Sequence, residues 1–285
     1  LKLCTSSIKK NSKICTHEII PHVNDGSDGT LKYLNENNFN YTHTKENSGI
    51  CKGMNMAAHK SSLNYILYAH DDFYFCPNWD IILKNEVDKI KHKKFYLSGT
   101  MVNNGQIKLN CGNNLETFNE EKLLNEIDNA NYFDFQGSTW APHLIHKEMW
   151  KKVGGFSEEF SPGTGSDPDL NMKLWNEGVR IFKGINDFKV YHFGSIVTRK
   201  YKNHPTIKTE SGSKGAKIFL LKWGITINFF KKYILKSDTM YEGELELPKK
   251  NIIYYLHLLI CKLNYLYIKY IYYINKKNIL KNEIN

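Results

Sequence analysis

The stretch "YAHDDFYFCPNWD" (Tyr68–Asp80) sets His70, Asp71 and Asp72 at the end of an apolar run, Tyr65 to Ala69, that reads as a buried strand. Unpaired carboxylates are costly to bury. The cluster is therefore either solvated at a strand mouth or neutralised, and a divalent metal would neutralise it. On these residues alone both readings stand.

The flanking sequence alternates strand, loop and helix. Residues 1–11 read as a helix with Leu1, Cys4 and Ile8 on one face. A short strand, Glu18 to Val23, runs into the turn "NDGSDGT" (24–30), and Thr30 is a good N-cap for the next helix. "YTHTKENSGICKGMNMAAHKSS" (41–62) reads as a strand, a glycine-containing loop and a helix. A helix over 77–92 and the strand "FYLSGTMV" (95–102) follow the opening stretch. Further on, "VRIFKGINDFKVYHFGS" (179–195) reads as two short strands finishing in His192. This alternation implies a largely parallel sheet with helices on its faces. Ligands of such sheets sit at the carboxyl ends of strands, which makes "NDGS" and "HDD" neighbours in space.

The net charge of +10, nearly all from lysine, favours partners with negative charge: nucleotide phosphates, anionic lipids or nucleic acid. Lysine is spread along the whole chain, which argues against a nucleic-acid binder. Six scattered cysteines form no C-x-x-C pair, so neither a zinc ribbon nor a small disulfide scaffold is indicated, and a reducing cytoplasm fits. There is no signal-peptide pattern, and the chain starts without Met. A cytoplasmic protein is expected, peripheral at the inner face of a membrane if it meets one.

Beyond residue 205 the character turns aromatic and basic. Residues 251–274 are about long enough to cross a bilayer. Lys262 and Lys269 at mid-helix make a full span expensive, which leaves a membrane-surface anchor or a homo-oligomer contact. The domain division expected is 1–204 and 205–285, the second part a C-terminal helical extension.

Taken in order, "EIIPHVNDGSDGT", "ENSGICKGMNMA", "HDDFYFCPNWD", "VGGFSEEF", "GSDPDLNMKLWNEG" and "VYHFGS" resemble family 2 glycosyltransferases of the GT-A fold over roughly residues 1–200. The resemblance implies an α/β architecture: a Rossmann-like mixed sheet flanked by helices. It also implies transfer of a single sugar from a nucleotide-diphosphate donor, of UDP or GDP type, to a glycan or lipid-linked acceptor, with inversion. Mn²⁺ or Mg²⁺ is the implied cofactor.

By the same resemblance Asp25 and Ser27 receive the nucleotide, with Asn24 where a second acid is common. Asn47, Gly49 and Asn55 line the donor loop, and Lys52 offers a phosphate contact in place of an arginine that is Met54 here. Asp72 is the first metal ligand, with His192 completing that shell. His70 stands in place of the usual first Asp and, with Asp71, contacts the donor. Asp167 falls on the general base. Ser166 replaces an acid beside it, removing a like charge that would raise the base's pKa. Trp140, His143 and Asp169 lie on the acceptor side, Asp169 also as a helix N-cap.

Two features depart from the family pattern. A first strand that holds the base is absent, so an upstream extension or an incomplete nucleotide site is expected. The Q-x-x-R-W signature of processive synthases is absent too, which favours single transfer. The rival reading is a non-catalytic GT-A-like module that binds glycan or nucleotide.

Overall fold

The computed structural model describes residues 1–14, 17–194 and 210–282, and the side chains of all but 210–213 and 275–282 among these. Cys15, Ser195 and the expected domain boundary at 204/205 lie outside the described residues. The elements in chain order are α1 (Lys2–Lys10), β1 (His22–Asn24), α2 (Thr30–Glu36), β2 (Thr42–Thr44), α3 (Gly49–Lys60), β3 (Tyr65–Tyr68) and β4 (Phe73–Phe75). Next come α4 (Trp79–Lys89), β5 (Phe95–Asn103), α5 (Glu120–Glu126), β6 (Phe135–Gln136), β7 (His143–His146), α6 (Lys147–Val153), α7 (Ser166–Asn176) and β8 (Ile181–His192). The C-terminal part holds α8 (Glu210–Trp223), α9 (Ile227–Phe229) running into a π-helical turn (Phe230–Leu235), and α10 (Ile252–Asn282).

Six strands form one sheet in the order β3-β7-β5-β8-β4, with β6 also on β8. Among the described residues of this sheet, β5 and β8 alone run parallel; the other pairs are antiparallel. The sheet is therefore mixed, as the family resemblance implies, and not the largely parallel sheet that strand–helix alternation suggested. The short strands β4, β6 and β7 lack the length to show a periodicity, and these supply the antiparallel pairs. β5 is flanked on both edges and covered on both faces, so it reads as a run of buried residues from Phe95 to Thr100. Burial of side chains such as Phe95 and Leu97 stabilises the fold by about 1.5–3 kcal/mol each.

Residues 181–192 form one strand where two were expected. The register against β5 jumps from Gly99↔Ile185 to Thr100↔Lys189, so Asn186, Asp187 and Phe188 bulge out without ending the strand. Gly99 is required here, since a Cβ would lie 2.9 Å from both Phe188 O and Pro142 Cγ. β1 and β2 form a separate parallel pair not joined to the main sheet, and β3 is left as an edge strand. Thr30 does not cap α2: Gly29, at φ 85°, holds that position.

The segment expected as an extension is knitted into the body. Phe219, Phe229, Phe230, Leu235 and Tyr254 belong to the same buried cluster as Phe95, Leu97 and Phe182. Among the described residues no helix is long and apolar enough to cross a membrane. Cys4, Cys51, Cys76, Cys111 and Cys261 are free and buried.

Candidate active site

The register gathers the candidate residues at one end of the sheet. Tyr68, the last residue of β3, pairs with His143, the first of β7, and His192 at the end of β8 pairs with Phe73 and Asn103. His70, Asp71 and Asp72 form the turn between β3 and β4, closed by Phe73 N donating to His70 O at 3.3 Å. They do not continue a strand, so alternation does not decide which way each points.

Asp72 and His192 meet, with Oδ2 to Nε2 at 3.3 Å. His70 Nδ1 lies 4.0 Å from Asp72 Oδ1, and its Nε2 is 2.8 Å from the Tyr68 hydroxyl. The His70 ring stacks on Phe73 at 5.1 Å. His192 is held from behind, its Nδ1 3.3 Å from Asn104 O. Asp71 is exposed on the same turn. Among the described residues no group of three or more His, Cys, Asp or Glu side chains is arranged to hold a metal ion. The protein thus offers one carboxylate and one imidazole, with a second imidazole near. That donor set suits Mn²⁺ or Mg²⁺ when phosphate oxygens supply the remaining positions.

The second corner is built on α7. Gly165 caps this helix at φ 87°, placing Asp167 in its first turn. Asp167 keeps 23% side-chain exposure, yet its Oδ1 is buried with no hydrogen-bond partner among the described residues. Burial raises its pKa from 3.8 to about 7. The like charge that Ser166 removes is therefore not needed for a raised pKa; Ser166 Oγ instead donates to Gly163 O at 2.6 Å.

His143 is fully buried 3.9 Å from Asp167 Oδ1, and burial pushes its pKa down to about 3, so it is neutral. Its Nδ1 is 2.9 Å from the Tyr96 hydroxyl, which also donates to Trp140 O at 3.3 Å. His143 Nε2, beside Asp167, and Trp140 Nε1 are further buried atoms with no hydrogen-bond partner among the described residues. Buried polar atoms are normally satisfied.

Tyr68 joins the two corners. Its ring lies 5.1 Å from His143 and 5.2 Å from His70, so ring contacts run from the base corner to the Asp72–His192 pair. Sequence reasoning passed over Tyr68 and Tyr96. The available signal was a tyrosine inside an apolar strand, whose hydroxyl needs a partner once buried.

The donor loops converge separately. Asn24 Oδ1 accepts from Ser48 N at 2.9 Å and Ser48 Oγ at 3.0 Å, tying the end of β1 to the start of α3. Asp25 sits at φ 67° with Ser27 Oγ donating to its Oδ2 at 2.8 Å. Asn47 Oδ1 accepts from Gly49 N at 3.0 Å. Gly49, at φ +79°, packs so closely that a Cβ would meet Ser161 Oγ at 2.4 Å, and Ile50 N donates to Pro162 O at 3.1 Å. The start of α3 is thereby joined to the loop that leads into Asp167. Lys52 is exposed on α3.

Two residues are placed otherwise than expected. Asn55 spends both ends of its amide on the Phe156 backbone, each at 2.9 Å, and so fixes the Gly154–Phe156 turn. Asp169 is fully buried and caps nothing. Its oxygens accept from Ser157 Oγ at 2.6 Å and Trp223 Nε1 at 2.9 Å, with Lys222 Nζ at 3.0 Å. It anchors α8.

Residues 1–140 match the family model described as Glycosyl transferase family 2. No curated protein matches the chain. Among solved structures, residues 1–349 of S. aureus TarS in complex with UDP match at 14% identity and a TM-score of 0.48, over 81% of this chain and 70% of that one. A longer S. aureus TarS chain matches at 15% and 0.48, with 42% of it covered. GalNAc-T7, solved with UDP, GalNAc and Mn²⁺, matches at 12% and 0.46, with 61% of this chain and 37% of that one covered. This chain thus spans less than half of those last two. Likenesses at these scores carry no argument about its activity.

Proposed function

We propose that this chain is a metal-dependent inverting glycosyltransferase. It would move one sugar from a UDP- or GDP-type donor to a glycan or lipid-linked acceptor, on the cytoplasmic side. The observation that carries the reading is Asp167: a carboxyl with an unpartnered buried oxygen and a pKa near neutrality, linked through Tyr68 to the Asp72–His192 pair. A base of that pKa is matched to removing a hydroxyl proton at neutral pH.

Asp167 Oδ1 takes the proton of the acceptor hydroxyl as that oxygen attacks the anomeric carbon. The neutral Tyr96–His143 pair keeps the base's surroundings uncharged. Asp169 is consumed by its own partners, which leaves Asp167 as the base that direct displacement needs. Asp25, Ser27, Asn47 and Gly49 position the nucleotide, and Lys52 and His70 face its diphosphate. Asp72 and His192 would hold Mn²⁺ or Mg²⁺, which when bound stabilises negative charge on the departing diphosphate.

The rival, a binding module without turnover, draws on the isolation of β1–β2 from the main sheet. A thermal-shift panel of nucleotide sugars with and without Mn²⁺, paired with donor hydrolysis, separates the two. We expect a Mn²⁺-dependent shift with one base that Asp72→Asn and His192→Ala both abolish, accompanied by hydrolysis. A shift without hydrolysis selects the binding module. No shift with UDP, GDP, CDP or dTDP sugars sinks the donor site.

A further inference from the structure

We infer that α10 is a docking surface for an anionic lipid membrane, lying flat on it with one face while the opposite face packs on the protein. The body-facing stripe is Tyr254, Leu258 and Cys261. Tyr254 packs on Phe229 at 5.1 Å and Tyr233 at 5.3 Å, and Cys261 Sγ lies 3.7 Å from Thr226 Oγ1. The other side carries a ridge of Ile252, Leu256, Leu259, Leu263, Leu266 and Tyr270, each more than half exposed, from 52% at Leu259 to 76% at Ile252. A run of large apolar side chains left to solvent along five turns is an interaction surface.

Charge identifies the partner. From Asn251 to Asn282 there is no Asp or Glu, while Lys262, Lys269, Lys276, Lys277 and Lys281 are present and Lys249 and Lys250 precede the helix. Lys262 and Lys269 fall roughly 100° round from the ridge at the 100° per residue of an α-helix, on the flank where long side chains reach headgroups while the ridge enters the acyl boundary. Exposed Tyr255, Tyr267, Tyr272 and Tyr273 add the aromatic residue type that settles at membrane interfaces.

The ridge alternates steps of four and three, a spacing that would also suit a coiled-coil seam. A second copy, however, would set this cationic helix against another with no carboxylate to answer its lysines. The apolar surface is also wider than a seam, since Ile253, Ile260 and Tyr267 extend it on one side. No described helix qualifies as a span, so the geometry is that of a helix in the interface plane.

The test is co-sedimentation of the full chain with vesicles of phosphatidylglycerol in phosphatidylcholine, against phosphatidylcholine alone, together with its mass in lipid-free solution. Turnover is not the readout, so failure here leaves the sugar-transfer reading untouched. We expect salt-sensitive binding to the anionic vesicles only. The pair Leu259→Glu and Leu263→Glu should abolish it with an unchanged melting temperature, and Lys262→Glu with Lys269→Glu should weaken it at least tenfold. Absence of binding to anionic vesicles overturns the inference, as does equal binding by the Leu259→Glu/Leu263→Glu variant. An oligomer in lipid-free solution that this variant dissociates, without vesicle binding by the wild type, would assign the ridge to a second copy instead.

Discussion

Asp167 and Asp169 stand two residues apart on the first turn of α7, and both lie within the protein, yet they have opposite surroundings. Asp169 is closed off completely, with Ser157, Trp223 and Lys222 donating to its two oxygens. Asp167 retains a window to solvent and has one buried oxygen that nothing described satisfies. A buried charge with good partners is an anchor. A buried carboxyl left without them holds its proton more tightly and remains available to a ligand. One helix turn thus holds an acid whose oxygens are answered and an acid with one oxygen left unanswered among the described residues, and the partners make the difference.

The sharpest way to break this contrast is to remove one acid at a time. Asp167→Asn should lower transfer by about 10²–10⁴-fold in initial-rate assays while leaving the fold intact. The same variant should be more stable than the parent. Because the folded-state pKa is raised from 3.8 to about 7, the protonated carboxyl is the form that favours folding, and its contribution is lost as pH rises through 7. The two proteins should therefore melt alike below pH 4 and diverge above it. At pH 8 the gap should reach between about 1 and 4 kcal/mol in favour of Asn. In the parent, kcat/KM should climb with pH and reach half its plateau near 7. A plateau already complete at pH 5 would show that a different group is the base.

Asp169→Ala should do the reverse, costing about 3–5 kcal/mol in urea unfolding because Lys222 and Trp223 lose their acceptor. Under conditions where the variant is folded, it should retain most of its transfer rate. A stable but inactive Asp169→Ala protein would exchange the two roles. The smallest effect is expected from Tyr96→Phe, which removes the hydroxyl beside His143 Nδ1 and should cost about 1 kcal/mol. The pH limb should stay near 7, since burial and not Tyr96 sets it. A limb displaced by a full pH unit would make the tyrosine part of the base.

Much of the frame was legible in the chain. α1, α3, α4, α7 and β5 lie close to where periodicity and turn residues set them, because each is long enough to show a pattern. The short β4, β6 and β7 and the bulged β8 were harder to read, and with them went strand direction. At the site, Asp72 and His192 were paired by family position and do meet. Asn55 and Asp169 carried the same kind of motif signal, but their polar atoms are spent on Phe156 and on α8. Tyr68 and Tyr96 had no motif at all, being tyrosines in apolar strands.

What the sequence determined by itself was the order of its blocks: acid-bearing loops after strands, a helix beginning near Asp169, and an aromatic, basic C-terminal helix. These are local matters of residue type and spacing. Tertiary structure decided how each polar group is answered. Whether a carboxyl is an anchor or a base, and whether an apolar stripe packs inward or is left facing out, depends on atoms brought from distant segments. Asp167 has its pKa near 7 because folding buried it, with its Oδ1 left without a donor among the described residues.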